Sequence, residues 1–145
     1  MMTIDVTVDT EIAAAPADVA AVMFDPEREP EWMSAVQRVE VIDPALAAGA
    51  RVKHSASFMG KEVTWTTTVE AVHFPHVLKL QLSEGPFSGT VSYQIQRSAG
   101  GSAVRVHNEG TLSVVPSLLS GMVESRMRSA LNEDLERLKA LVEKK

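Results

Sequence analysis

The sequence predicts an α+β fold in which a curved antiparallel sheet of about six to seven strands wraps around a long C-terminal helix. Three observations support this prediction. Short segments alternate between apolar and polar residues, tight turns join them in succession, and one long helical pattern closes the chain. Consecutive strands joined by tight turns must be antiparallel. One face of such a sheet is apolar and needs a cover, which the long helix can supply.

The first part of the chain predicts a strand followed by two short helices. Residues 4–12 alternate between aliphatic and polar side chains, as a half-buried strand does. Ala15-Pro16-Ala17-Asp18 is typical of a helix start, because proline is tolerated in the first turn and an acid is favoured there. Residues 26–32 hold two prolines and four charges and predict a further short turn of helix or a loop, in which Trp32 and Met33 are apolar.

The middle of the chain predicts six further strands. Their predicted ranges are 36–42, 51–58, 62–72, 77–83, 87–97 and 103–114. Met59-Gly60 is a candidate tight turn, because glycine accepts a positive φ, and Gly100-Gly101 marks a hairpin loop.

The long helix is predicted between residues 117 and 142, behind Pro116, and would span roughly 39 Å. Glu124 with Arg128 and Glu133 with Arg137 are acid-before-base pairs four residues apart. The apolar stripe consists of Val123, Met127, Leu131, Leu135, Leu138 and Val142. Leu118 and Met122 point away from that stripe, so we expect the start of the helix to cover something as well as pack.

Length and composition exclude several classes of protein. The 145 residues fit one domain, 1–145, and the net charge of −5 comes without a clustered basic face for nucleic acid. There is no cysteine, which excludes disulfides, thiolate catalysis and cysteine metal sites. The first residues lack the pattern of a signal peptide and no apolar run is long enough for a membrane span, so we expect a cytoplasmic protein.

His54 is the histidine most open to a functional interpretation. It alternates with Val52 and Ala56 and should point inward. An inward histidine is either a core group with satisfied hydrogen bonds or, beside a cavity, a group that binds a ligand or transfers a proton. His73 and His76 flank a turn without a third metal ligand, and His107 belongs to a polar outer face, so we predict no metal site.

Further polar and adaptable side chains are predicted on inward faces or near a cavity mouth. A pocket that holds a few convergent polar groups would use such residues, and a core with satisfied polar groups would use them as well. The candidate ligand-binding residues are Met23, Trp32, Met33, His54, Phe58, Trp65, Thr67, Tyr93, Asn108, Met122 and Met127, and the candidate catalytic residues are His54, Tyr93 and Asn108.

The acidic residues give no catalytic signature. Glu27, Glu29 and Glu31 are most simply a solvated face, and Asp134 at the edge of the helix stripe is expected to reach water. The chain also lacks the common nucleophile, zinc, dinucleotide and phosphate motifs. We therefore expect no cofactor.

Three segments together resemble the START-like, or helix-grip, superfamily (SRPBCC), and within it the polyketide cyclase/dehydrase and lipid-transport branch. They are Ala15-Pro16-Ala17-Asp18-Val19, Pro30-Glu31-Trp32-Met33, and Gly100-Gly101-Ser102-Ala103-Val104-Arg105-Val106. The resemblance implies a deep cavity between sheet and helix that takes apolar or amphipathic ligands. The superfamily shares no catalytic signature, so no catalytic residue is transferred.

The leading functional hypothesis is binding of a small hydrophobic or amphipathic ligand, such as a lipid, polyketide or isoprenoid. The alternative is a polyketide cyclase or dehydratase that uses the same cavity. A protein-interaction module is a third class, which predicts a large exposed apolar patch. The sequence gives neither the ligand nor the oligomeric state, and a homodimer stays open.

Overall fold

The computed structural model describes residues 2–58, 60–113 and 120–144. Within these ranges it contains seven strands, three α-helices and one short 3-10 helix. In chain order they are β1 (Met2–Ile12), α1 (Pro16–Met23), the 3-10 helix (Pro26–Arg28), α2 (Glu29–Trp32), β2 (Val36–Val41), β3 (Arg51–Phe58), β4 (Lys61–His73), β5 (Val77–Ser83), β6 (Phe87–Ser98), β7 (Gly101–Leu112) and α3 (Ser120–Glu143). The predicted fold class is confirmed.

All seven strands form one antiparallel sheet in the order β1-β7-β6-β5-β4-β3-β2. From β2 to β7 each strand pairs with the next one in the chain, as short turns require. The first two strands lie at opposite edges of the sheet. The helices α1 and α2 connect these two edges, so they must cross the open side of the curved sheet.

The hairpin between β3 and β4 sets the register of the strands that carry the most polar inner residues. Gly60 has a φ of +80°, as predicted for the turn, whereas Met59 lies outside the described residues. Phe58 pairs with Lys61 across the turn, and the same register places His54 directly opposite Trp65. Side chains opposite each other in an antiparallel pair lie on the same face of the sheet.

Helix α3 is anchored by its C-terminal half. Leu135, Leu138 and Val142 are buried, whereas Val123, Met127 and Leu131 pack against the core and stay partly exposed. The backbone of α3 lies closest to β1, α1 and α2. Pro116 and Leu118, which were predicted at the start of this helix, lie outside the described residues, and none of the described helices is long and apolar enough to cross a membrane.

The ion pairs predicted along α3 are wrong, because the charged residues bind other partners. A carboxylate oxygen of Glu124 accepts from the backbone N–H of Asp5 at 3.2 Å, and Arg128 donates to the backbone oxygen of Thr7 at 2.8 Å. Arg137 pairs with Asp134 rather than with Glu133. β1 is an edge strand with unpaired backbone groups, and bonding to these groups is worth more than an exposed ion pair on a helix surface.

Candidate functional site

His54 lies in the middle of β3 with its side chain toward the interior, as its alternation predicts. It is 3% exposed. The indole of Trp65, its partner across the strands, stacks on the imidazole with ring centres 5.3 Å apart and planes 5° from parallel. The stack fixes the plane of the imidazole, and both ring nitrogens make their hydrogen bonds within that plane.

Glu29 is the residue that the sequence interpretation placed wrongly. It begins α2 and is 8% exposed, not part of a solvated face. Helical residues turn by about 100° each, so acids two apart cannot share one face. Glu31 points outward and binds Arg28, Glu27 is exposed, and Glu29 is directed inward to His54.

A chain of hydrogen bonds joins Glu29, His54 and Thr67. The Glu29 Oε1 atom lies 2.8 Å from His54 Nδ1, and His54 Nε2 lies 2.8 Å from Thr67 Oγ1. All three residues are buried. A carboxylate, an imidazole and a hydroxyl in this order match the connectivity by which a base is oriented beside a hydroxyl in many enzymes.

Tyr93 on β6 adds a buried hydroxyl to the same region. Burial raises the pKa of this hydroxyl well above its ordinary value, and the negative charges of Glu29 and Asp134 add to the rise. The hydroxyl therefore keeps its proton and can donate a hydrogen bond. The Tyr93 ring contacts Phe24 at 6.4 Å and Trp32 at 6.2 Å between ring centres, which holds the side chain in place.

Two buried polar atoms have no hydrogen-bond partner among the residues described. They are the indole Nε1 of Trp32 and the amide Oδ1 of Asn108. The Asn108 nitrogen lies 3.9 Å from the Met127 sulfur, a weak acceptor. Buried polar atoms without a partner are rare in native proteins and call for an explanation, such as a bound water or ligand.

A cavity of about 50 Å³ lies between the short helices and the inner face of the sheet. No described residue of α3 lines it, so it differs from the deep cavity between the sheet and the long helix that the resemblance implies. Phe24 and Pro26 form one wall, and Leu46 of the loop after β2 forms part of the rim. Glu29, Thr67 and Tyr93 supply polar groups to a lining that is otherwise mainly apolar. This combination is typical of a small-molecule site, although 50 Å³ is far below the usual volume of one.

The predicted site residues fall into three groups. Met23, Thr67 and Tyr93 line the cavity. His54 lies directly behind Thr67, and Trp32 is buried against Tyr93. Trp65 is half-buried and stacks on His54. The others lie elsewhere: Met33 is half-buried, Asn108 and Met127 meet between β7 and α3, Met122 is exposed, and the side chain of Phe58 is outside the described part. For every one of these residues, contact with a ligand stays a prediction.

Asp134 keeps 14% of its side chain exposed and is also bound by protein groups, which the sequence did not predict. It accepts from the backbone N–H of Ser34 at 3.3 Å and from Arg137, which also donates to the backbone oxygen of Trp32 at 3.0 Å. Burial raises the pKa of the Asp134 carboxyl despite these bonds. The cluster ties α3 to the end of α2 and so supports the wall of the cavity.

Two of the other histidines, His76 and His107, have partners away from the cavity. His76 Nδ1 lies 2.7 Å from the backbone oxygen of Ile95, and His107 Nε2 lies 2.7 Å from Asp5 Oδ1. His107 is half-buried, and a Glu109 carboxylate oxygen lies within 4.8 Å of the Asp5 and His107 ligand atoms. Such exposed acid–histidine groups are common at surfaces and do not by themselves indicate a metal.

Residues 3–143 match the model of the polyketide cyclase / dehydrase and lipid transport family. The chain belongs to this family. The resemblance drawn from the sequence is therefore confirmed over nearly the whole chain. No curated protein sequence matches it significantly.

Members of the same fold appear among solved structures. The Zhui aromatase/cyclase from Streptomyces sp. R1128 superposes with a TM-score of 0.81 at 14% identity, covering 97% of this chain and 94% of that one. TTHA0849 from Thermus thermophilus gives 0.79 at 22% identity, with 97% and 96% covered. CV1439 from Chromobacterium violaceum gives 0.75 at 14% identity, with 97% and 99% covered. At these identities the likeness shows the fold alone.

Proposed function

We propose that the protein binds a small hydrophobic or amphipathic ligand in the cavity between the short helices and the sheet. The observation that carries this proposal is the composition of the cavity wall. Apolar side chains surround three buried polar groups, from Glu29, Thr67 and Tyr93. Such a wall suits a molecule with one polar end, which meets the polar groups while its apolar remainder contacts the apolar part.

The volume limits how such a ligand can bind. A cavity of about 50 Å³ has room for a few water molecules or for the polar end of a longer molecule. Leu46 at the rim is 41% exposed, so its side chain is not enclosed by the core. A longer ligand would place its polar end inside and its apolar part along the rim, and it would displace side chains such as Leu46.

The test is native mass spectrometry of the purified protein and of a variant whose cavity is filled. Ala50 lines the cavity, so Ala50→Phe should block it and abolish any co-purified ligand adduct. Ala17→Phe, on the exposed side of α1, is the matched control and should keep the adduct. The proposal fails if no adduct appears and a panel of fatty acids and single-ring phenols does not raise the melting temperature. It also fails if Ala50→Phe binds as the unmodified protein does.

An enzyme of the cyclase or dehydratase type is the second candidate. It is favoured by the buried chain of Glu29, His54 and Thr67 beside the cavity, because positioned acids and bases move protons in such reactions. Both nitrogens of His54 are already bonded, so His54 would act through Thr67. Turnover of the co-purified molecule, lost in His54→Ala while affinity persists, would favour the enzyme. Binding without conversion would favour the carrier.

A further inference from the structure

We propose that the protein forms a homodimer in which the free edge of β2 pairs with the same edge of a second copy, antiparallel and centred on Val39. The proposal does not depend on the cavity or on a ligand. It assigns an interaction surface to one edge of the sheet and names a second copy of this chain as the partner.

The fold treats the two edges of the sheet differently. Along β1, four side chains of α3 bond to backbone groups of Asp5, Thr7, Glu11 and Ala13. These contacts occupy an edge that could otherwise pair with another strand, because an edge strand presents a row of unpaired N–H and C=O groups. In the part of the chain that the structure describes, no side chain bonds to the backbone of β2 in this way.

The pairing of β2 with β3 shows which backbone groups face the free edge. The Ile42 N–H donates to the Arg51 backbone oxygen at 3.1 Å, so this pair of residues is bonded across the ladder. Bonded and non-bonded pairs alternate in an antiparallel ladder, so Glu40 also bonds to β3, whereas Val39 and Val41 do not. The N–H and C=O groups of Val39 and Val41 therefore point away from β3, toward a possible second strand.

The side chains of β2 are complementary to themselves in this arrangement. Arg38 and Glu40 are exposed and lie on the face opposite to the one that carries Val39 and His54. With a twofold axis at Val39, Arg38 of each copy lies directly opposite Glu40 of the other. Opposite charges that face each other across two strands stabilise the pairing. The symmetry makes the two ion pairs identical, as it does in any isologous interface.

The same charges disfavour the neighbouring registers. An axis at Glu40 would bring two carboxylates together and an axis at Arg38 two guanidinium groups, and like charges directly opposite each other are destabilising. Within one copy, the Arg38 side chain is 73% exposed and reaches Glu62 only at 3.9 Å, so it is available to a partner. Glu40 has no ion-pair partner among the described residues.

The interface is short, so we expect a dimer that forms and dissociates with concentration. The ladder with β3 shifts its register between Val36 and Arg38, and a bulge of this kind bends and twists the edge. Regular pairing is therefore limited to the residues from Arg38 to Val41. Interfaces this small belong to the transient class. Since salt screens exposed charges, the dimer should weaken as the ionic strength rises.

The test is sedimentation velocity of the full chain over a series of concentrations, in which the unmodified protein should shift from monomer to dimer. Arg38→Glu and Glu40→Arg each place like charges in both contacts, so each should raise the dissociation constant about tenfold or more. An equimolar mixture of the two variants should recover the dimer, because one chain then offers only acids at these positions and the other only bases. Arg97→Glu, at an exposed position of β6, is the matched control with the same change of charge and should dimerise as the unmodified protein does.

Val39→Pro gives a second test that alters no charge. Proline removes the N–H that faces the free edge, and an edge strand tolerates it there because no bond to β3 is lost. The variant should stay monomeric and keep the far-UV circular dichroism of the unmodified protein; if it does not fold, the charge variants decide.

Three results would overturn the proposal. An unmodified protein that stays monomeric at every concentration leaves no dimer to explain. A dimer that persists in either charge variant, or in a folded Val39→Pro, uses a different surface. A mixture of the two charge variants that stays monomeric contradicts the register centred on Val39.

Discussion

Two leucines on the same face of α3 should differ sharply in their effect on stability. Leu131 and Leu138 are seven residues apart, two helical turns, and so lie on one stripe. Leu138 is 0% exposed, whereas Leu131 packs against the core from a partly exposed position. The sequence alone predicts a loss of roughly 2–5 kcal/mol for Leu131→Ala. The structure instead predicts the larger loss of stability at Leu138, because Leu138 is the more deeply buried of the two.

The magnitude follows from burial. Leu138→Ala removes apolar groups worth about 0.8 kcal/mol per buried CH₂ and leaves a cavity, so we expect a loss of about 3–5 kcal/mol. Leu131→Ala removes the same atoms from a site already in contact with water, and we expect about 1–2 kcal/mol. In a domain of this size each kilocalorie lowers the melting temperature by about 2–4 °C.

The assay is urea unfolding of both variants, followed by circular dichroism, with the slope against denaturant compared between them. Equal slopes show that the midpoints report stability alone. Equal losses for the two leucines, or a larger loss at Leu131, would refute the view that α3 is anchored by its C-terminal half.

Three further outcomes are expected. Because burial raises the Asp134 pKa, the folded state holds this proton more tightly than the unfolded state. This group therefore lowers stability as pH rises from about 4 toward 7, and Asp134→Asn should gain stability relative to the parent over that range in urea melts. If the unmodified protein instead became more stable relative to Asp134→Asn as the pH rises, the result would contradict this assignment. Gly110→Ala should lose about 1–3 kcal/mol in the same melts, because a Cβ atom there would lie 2.2 Å from the Ser88 backbone oxygen; an unchanged midpoint argues against the close approach. In Trp65→Phe, emission from the buried Trp32 should be blue-shifted and should change when the co-purified ligand is restored; a silent signal would place the ligand away from Trp32.

Part of the site could be predicted from the sequence. The alternation of β3 places His54 inward, and the turn predicted at Met59-Gly60 implies the pairing of His54 with Trp65 that the strands show. Thr67 follows two residues later on the same face, one position diagonal to His54. The stacked pair and the Thr67 contact could therefore have been predicted from the turn alone.

The burial of Glu29 and its contact with His54 could not be predicted in this way. Glu29 lies 25 residues before His54 in the chain, in a short helix whose direction depends on how β1 and β2 are placed at opposite edges of the sheet. Composition favours a solvated acid, and only the tertiary fold brings a buried imidazole to its carboxylate. The same holds for Asp134, which meets Ser34 across 100 residues of chain.

The sequence by itself determined the elements, their antiparallel order and the helix that covers the sheet. These depend on the periodicity of apolar residues and on turn chemistry, which are local properties of the chain. The tertiary structure decided which polar groups meet and how much room they leave. Burial, hydrogen-bond partners and cavity volume depend on the distances between elements far apart in the chain, and no local pattern encodes those distances.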